Sequence, residues 1–411
     1  MQIGTFTVEE LQQRGALLVE DGNHGEYRPR SDEFESSGTS LVRATDMRGG
    51  RIAFDGTQKI SDVALARIRK GRGADLDVIL SHKGTVGKVS FVPNGSPRFV
   101  CSPQTTLWRS LNHSFLDPRY IYYYLKSPQF VSQLRARENE TDMAAYVSLT
   151  QQRQLLVEVP DVRVQRAIIE VLGALDDKIA LNEQNAETAL ELAGCLYQRE
   201  SAEHDRWTES ALKDTAKWLS GGTPRTSEPS YWAGNIPWIS AASLKTPWLY
   251  ASERSVTELG AQNGTRLVPK GTILFVVRGM SLTTEFRVGI AQREVAFGQD
   301  CKALIPHAGI DPATLFLAIR AQSPKILGMV DLAGHGTGRL VTERVANLRV
   351  RLPQGEAAAG FAARAGALMD RAVAVTNENR TLADLRDTLL PQLLSGKLRV
   401  KDAVRTVEEV V

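Results

Sequence analysis

The sequence has little of what a disulfide scaffold, a metal site or a membrane anchor needs. Only three of its 411 residues are cysteines: Cys101, Cys195 and Cys301. They are odd in number, about a hundred residues apart and without metal-ligand spacing. A disulfide framework is therefore not expected, and a reducing compartment fits. The six histidines, at positions 24, 82, 113, 204, 307 and 335, pair with neither a cysteine nor another histidine at ligand distance, so no metal site is expected. No run reaches the roughly 18 apolar residues of a membrane span. The start, Met1 to Gln13, lacks a basic stretch followed by an apolar one, so no secretory leader is expected there. Charge of one sign is also missing: 50 Lys+Arg against 47 Asp+Glu leave +3. The chain reads as a cytoplasmic protein whose whole-chain charge names no partner.

Catalytic signatures are missing too. There is no Asn-Pro-Pro-aromatic run and no glycine-rich loop in a clear strand-to-helix setting. The segment Gly84-Thr-Val-Gly-Lys88 is too short for a phosphate-binding loop, because the first glycine of that motif would fall on His82. Pro160-Asp161 followed by Asp176-Asp177-Lys178 has the spacing of a nuclease motif. Its last two acids lie in a helical pattern, however, where Asp176 and Lys178 face different sides. No catalytic residue is therefore assigned, and the chain reads as a binding protein.

What the sequence does have is repetition. Asp117-Pro118 recurs as Asp311-Pro312, Leu155–Pro160 as Leu348–Pro353, and Gly173–Ile179 loosely as Ala367–Val373. Gln104 recurs as Gln299, each after a short apolar segment. The offsets run from 193 to 195. A period this long describes a duplicated domain with an appendage, not a solenoid.

The first part of each unit, 1–160 and 206–355, is rich in glycine, proline and short apolar runs. Val78–Ser81, Lys88–Val92 and Thr272–Val277 read as strands, and Pro118–Leu134 reads as a helix. The class is α+β. The segments 161–205 and 356–400 have a different texture. Ile168, Leu172, Leu175, Ile179, Asn182, Ala186, Ala189, Ala193 and Leu196 alternate spacings of four and three, a heptad seam. Leu368, Ala372, Val375, Asn379, Leu382, Leu389 and Leu393 continue the same pattern, with Arg386 interrupting it. The two helices are expected to pair antiparallel, with Asn182 setting register and a pseudo-two-fold relation between the repeats. About 25 paired residues span roughly 38 Å, close to one DNA turn. Residues 401–411 are expected to be a tail.

Basic charge is local. Arg67 to Arg98 holds seven basic residues against two acidic, and 208–353 holds 17 against 11. Candidate DNA contacts lie on glycine-bearing loops: Gly22, Asn23 and His24; Lys83, Gly84, Thr85 and Lys88; Ser220, Gly221, Gly222 and Thr223; Arg278 and Ser281. Such loops present bases, hydroxyls and backbone N–H groups to phosphates. Gln104 and Gln299 either pair with adenine or stabilise turns. Trp232, Trp238 and Trp248 are expected in the core.

The chain resembles the specificity subunit of type I restriction-modification systems. The resemblance rests on Leu219–Pro224 followed by Tyr231–Ser240, on Gln165–Ile179, on Leu80–Lys88, on Ser102–Thr106 and on Leu389–Leu398, and it covers nearly the whole chain. It implies two tandem target-recognition domains, each reading half of a bipartite, asymmetric site on double-stranded DNA and directing adenine methylation. Two modification (methyltransferase) subunits would bind the helices, and restriction subunits that translocate DNA can join. S-adenosylmethionine and ATP with Mg would be held by those partners, leaving this chain without a cofactor. The other readings are a fragment of a self-sufficient restriction–methylation enzyme and a coiled-coil scaffold without sequence preference.

Overall fold

The computed structural model describes residues 3–22, 25–138, 145–203, 205–332 and 336–409. They form two compact units, Met1–Ile179 with Arg380–Val411, and Ala180–Asn379. Each long helix is thereby shared, one half in each unit, and is not a body of its own.

The first unit opens on a strand, Ile3–Thr7, that pairs antiparallel with Leu156–Pro160, the last strand before the first long helix. Its central sheet is antiparallel, in the order Leu17–Asp21, Thr105–Ser110, Val78–Ser81, Val89–Phe91. Val78–Ser81 is buried throughout, and its period of two sorts its side chains between two layers. Val78 and Leu80 join Trp108 and the tyrosines of the helix Pro118–Leu125. Ile79 joins Leu107, Val42 and Phe99 on the other face. That face carries a second sheet, in the order Phe99–Cys101, Thr39–Val42, Gln58–Ile60, Phe34–Glu35.

The helix expected over Pro118–Leu134 is two helices, Pro118–Leu125 and Pro128–Arg135. Pro128 disfavours a helical Ser127. Ser127 is extended instead, and its hydroxyl accepts from the Phe130 N–H as an N-cap.

The second unit repeats this plan. Trp207–Ala211 pairs with Arg349–Pro353. The central sheet runs Ala216–Ser220, Cys301–Pro306, Ile273–Val276, Val288–Ala291, with Trp248–Leu249 added at the edge. A parallel pair, Trp238-Ile239 with Ala296-Phe297, matches Thr39–Val42 with Phe99–Cys101. The recurring Asp-Pro dipeptide is a helix start. Asp117 accepts from the Arg119 N–H and Asp311 from the Thr314 N–H, and the proline follows each at the first helical position. Trp238 and Trp248 are buried, as expected. Trp232 is half-buried, with the Arg254 guanidinium 3.5 Å from its ring centroid.

The long helices span Val162–Glu203 and Glu356–Leu394. In the first unit Ile168, Leu172 and Leu175 share an apolar cluster with Leu382, Leu389 and Leu393, and Ile179 packs against it. Arg386 interrupts this seam by an ion pair with Asp176 at 2.7 Å, and the Tyr123 hydroxyl donates to the same carboxylate at 2.9 Å. Asp177 meets Arg119 at 3.1 Å, so the two acids of the nuclease-like motif serve different contacts. In the second unit Ala189, Ala193 and Tyr197 pack with Phe361, Ala365 and Ala372. Val375 is buried and Asn379 half-buried. The seam residue Asn182 is buried and donates to Glu378 at 2.9 Å. Arg364 donates to both Glu200 carboxylate oxygens at 2.8 Å. Positions rise along one helix as they fall along the other, so the pairing is antiparallel. Val171, Leu190 and Leu390 are buried as well, because each half of a long helix covers the unit it belongs to besides packing on the other helix.

The second long helix stops at Gly396, whose φ of 70° suits a left-handed cap. Beyond it Val400–Glu408 is helical with Ala403 buried, so part of the expected tail is docked. Among the described residues no helix is long and apolar enough to cross a membrane.

Cys101 and Cys301 are buried, and burial pushes each thiol up to about 12. Cys195 is exposed. Thiolates are the reactive form. At neutral pH an alkylating reagent is therefore expected to add one label per native chain, at Cys195, and three after denaturation. Intact mass reads the count, and rapid native labelling of Cys101 or Cys301 would contradict this burial.

Candidate nucleic-acid interface

The described candidate residues gather at one end of each central sheet. In the first unit Thr106 lies opposite Asp21, Thr105 opposite Ser81, and Leu80 opposite Val89. Two strands therefore end and two begin at the same edge. That edge carries the loops after Asp21, from His82 to Lys88, and from Ser102 to Gln104. In the second unit Ser220 lies opposite Lys302, Val276 opposite Cys301, and Phe275 opposite Val288. The loops holding Gly221, Arg278 and Gln299 sit at the matching edge.

Lys83 and Arg278 occupy equivalent places. Each is exposed and follows a buried strand by two residues. The residue before each pairs through its backbone with a returning segment: Val147 N–H donates to His82 O and Leu340 N–H to Val277 O, both at 2.9 Å. The Lys83 ammonium lies 5.8 Å from the Tyr146 ring centroid. Thr85 and Thr223 are exposed, while Ser281 is half-buried in a tight turn, Met280–Thr283.

The glutamines are not equivalent to one another. His82 N–H donates to the Gln104 carbonyl, and Val277 N–H donates to the Asp300 carbonyl. The flanking strands Thr105–Ser110 and Cys301–Pro306 are likewise offset by 196, one more than the Gln104–Gln299 spacing. The counterpart of Gln104 is therefore Asp300. Gln104 and Gln299 are exposed and Asp300 is half-buried.

The glycines act differently from the expectation. Gly22 N–H donates to Thr105 O, Gly84 N–H to Ala145 O and Gly222 N–H to Phe297 O, so these amides are engaged within the fold. A Cβ on Gly22 would lie 2.2 Å from the Ser102 carbonyl, and one on Gly221 would lie 2.3 Å from the Gly298 carbonyl oxygen. Close backbone approach alone requires glycine there. Lys88 also turns inward, its ammonium donating to the Ala44 carbonyl at 2.8 Å. Ser220 accepts from Lys302 at 2.5 Å, which adds a second base to that edge. Asn23 and His24 lie outside the described residues, as do His204 and His335. His82 is buried with Nδ1 3.0 Å from the Val147 carbonyl. Among the described residues no three His, Cys, Asp or Glu are grouped to hold a metal ion.

Two residues of this region escaped the sequence reading. Asp300 was hidden by the one-residue change in offset. Arg339, exposed on the strand Gly338–Leu340, lies 61 positions beyond Arg278 but opposite it. Its only local signal is the glycine-rich stretch before it.

The model of the type I restriction modification DNA specificity domain matches residues 22–192 and again 204–360. The chain is 25% identical over 243 residues to the specificity subunit of the type I restriction enzyme EcoR124I/EcoR124II of Escherichia coli, covering 57% of this chain. The match spans 59% of that relative's own length. It is 19% identical over 419 residues to the HindI specificity subunit of Haemophilus influenzae, covering 83% of this chain and 87% of that one. In fold it is similar to the type I restriction-modification S subunit of M. genitalium, with a TM-score of 0.53, 15% identity and 96% of each chain covered.

Proposed function

The chain belongs to the type I restriction modification DNA specificity domain family, and from that premise we propose that it is the DNA-reading subunit of a restriction-modification complex. Each unit reads one half of a bipartite, asymmetric site on double-stranded DNA. Partner subunits do the chemistry: two modification subunits that bind S-adenosylmethionine and methylate adenine, joined by restriction subunits that use ATP and Mg. The protein works in the cytoplasm and catalyses nothing by itself.

One observation supports this reading best. The two sheet ends share a frame, with Lys83 and Arg278 at one equivalent position, yet differ at another, Gln104 against Asp300. A base at a fixed place suits the phosphate backbone, which is the same in any sequence. An amide in one unit and a carboxylate in the other suit different bases: an amide pairs with adenine, and a carboxylate accepts from the cytosine amino group.

The test is methyl transfer. Purified chain with labelled S-adenosylmethionine and duplex DNA is expected to transfer nothing, and adding the modification subunits is expected to label one sequence-defined site. Transfer by the chain alone would instead make it a self-sufficient enzyme. Asp300→Asn is expected to relax one base preference in one half-site, worth about 1–3 kcal/mol of discrimination, and to leave the other half-site unchanged. Binding selection from a randomised duplex pool reads this out. Identical base preferences in variant and parent would remove Asp300 from base reading.

A further inference from the structure

Arg278 and Arg339 are direct partners across an antiparallel strand pair, with Gly279 opposite Gly338. Residues directly opposite in such a ladder project to the same face, their Cβ atoms roughly 4.5–5.5 Å apart. Both arginines are exposed. The pair sets two like charges side by side, which destabilises a ladder. On its other side Arg339 faces Asp331. That carboxylate makes its ion pair with Arg344, at 3.1 Å. The carboxylate opposite Arg339 is thus already paired with a third arginine, on the helix Thr342–Ala346.

The backbone beneath is held tightly. A Cβ on Gly338 would lie 2.6 Å from the Leu282 Cβ, and Leu282 is buried. The strand therefore sits directly on the core, and its arginines are presented from a fixed base. The first unit has a weaker version at the equivalent place: Lys83 bridges Tyr146, one ammonium beside an aromatic ring.

We propose that Arg278 and Arg339 form a two-guanidinium clamp on a single DNA phosphate in the second unit. This rests on the DNA-reading function. Paired guanidinium forks satisfy the oxygens of one phosphate with charge-assisted hydrogen bonds, and the phosphate removes the repulsion between them. The clamp positions the second unit on the backbone without reading sequence.

The test uses the full chain, a cognate duplex and an unrelated duplex, with binding followed across salt concentrations. Arg339→Gln is expected to weaken binding to both duplexes equally, by about tenfold, with little change of salt slope, because Arg278 still neutralises the phosphate. The double variant with Arg278→Gln is expected to lower the slope by about one, because the two groups hold a single phosphate. Without DNA, Arg339→Gln is expected to melt at the parent's temperature or above it, since a repulsion is gone. A structural arginine would give the opposite shift.

Unchanged affinity in Arg339→Gln would overturn the clamp, as would a slope falling by about two in the double variant. Stabilisation by inorganic phosphate that Arg339→Gln abolishes, with DNA binding untouched, would reassign the pair to a free anion. A parent chain that binds both duplexes equally would instead defeat the sequence-reading function, and the slope comparison would still decide the clamp.

Discussion

Replacing Arg109 by Ile is expected to destabilise the first unit by about 3–5 kcal/mol at neutral pH. Arg109 lies on the central strand Thr105–Ser110 and holds Asp77 through two bonds, Nε to Oδ1 at 2.7 Å and Nη2 to Oδ2 at 2.8 Å. Asp77 is fully buried and also accepts from the Ala74 N–H at 2.8 Å. Desolvation pushes the Asp77 carboxyl above its ordinary value, against the opposing hydrogen bonds from Arg109 and Ala74. Removing Arg109 leaves a buried carboxylate whose main counter-charge is gone.

The pH dependence has a definite sign. A carboxyl with a raised folded pKa binds its proton more tightly in the native state. Its contribution is therefore most favourable in acid and is lost as pH rises from the unfolded value through the folded one. Without Arg109 the folded value rises further and that window widens. The deficit of Arg109→Ile should be small in acid and grow toward neutrality. Chemical denaturation at two pH values measures it, and an equal deficit at both would exclude the buried charge as its cause.

The second unit supplies the control. By strand register the counterparts of Asp77 and Arg109 are Thr272 and Ile305. The same fold there stands without the ion pair. Asp77→Thr with Arg109→Ile should therefore recover most of the stability that Arg109→Ile alone loses, since replacing both partners of a buried pair is often near neutral.

Replacing residues 206–355 with the corresponding domain of a family member is expected to change one half of the recognised site completely and leave the other intact. The structure explains why this segment can be exchanged. Trp207 pairs with Pro353, and the Gln354 N–H donates to the Arg206 carbonyl at 2.9 Å, so the two cut points are neighbours. The incoming domain must keep an aromatic residue at position 207. Trp207 packs edge-to-face on Tyr197 and Phe361, with centroids 5.5 and 5.0 Å apart, and so seats the domain on both long helices. Each mismatched base pair costs about 1–3 kcal/mol, so two wrong pairs should weaken binding to the parental second half-site by about thirtyfold at the least, and by more than about ten-thousandfold at the upper end. Mapping methylated sites in cells that carry each version shows the result. A change in both half-sites would mean that the two units do not read independently.

Much of this architecture is legible along the chain because it is written in spacing. The heptad seam from Ile168 to Leu196 marks the long helix, since a spacing of four and three needs only local geometry to form one apolar stripe. Asp117-Pro118 and Asp311-Pro312 mark equivalent helix starts, because cap and proline act within one turn. The duplication follows from such local signals recurring in order. Lys83 and Arg278 were legible as exposed bases for the same reason, since each follows a short apolar strand.

What the tertiary structure decided depends on register between distant segments. Gln104 has Asp300 as its counterpart, not Gln299, because the offset between repeats drifts by one residue, and a shift of one changes which side chain meets a given face. Lys88 turns to the Ala44 carbonyl and Gly22 donates to Thr105, although both look like ligand contacts on the page. The Asp77–Arg109 pair and the Arg278–Arg339 pair join residues 32 and 61 positions apart. Spacing along a chain records how a residue sits in its own helix or strand. Which charge lies across from which is set only when the strands are laid side by side.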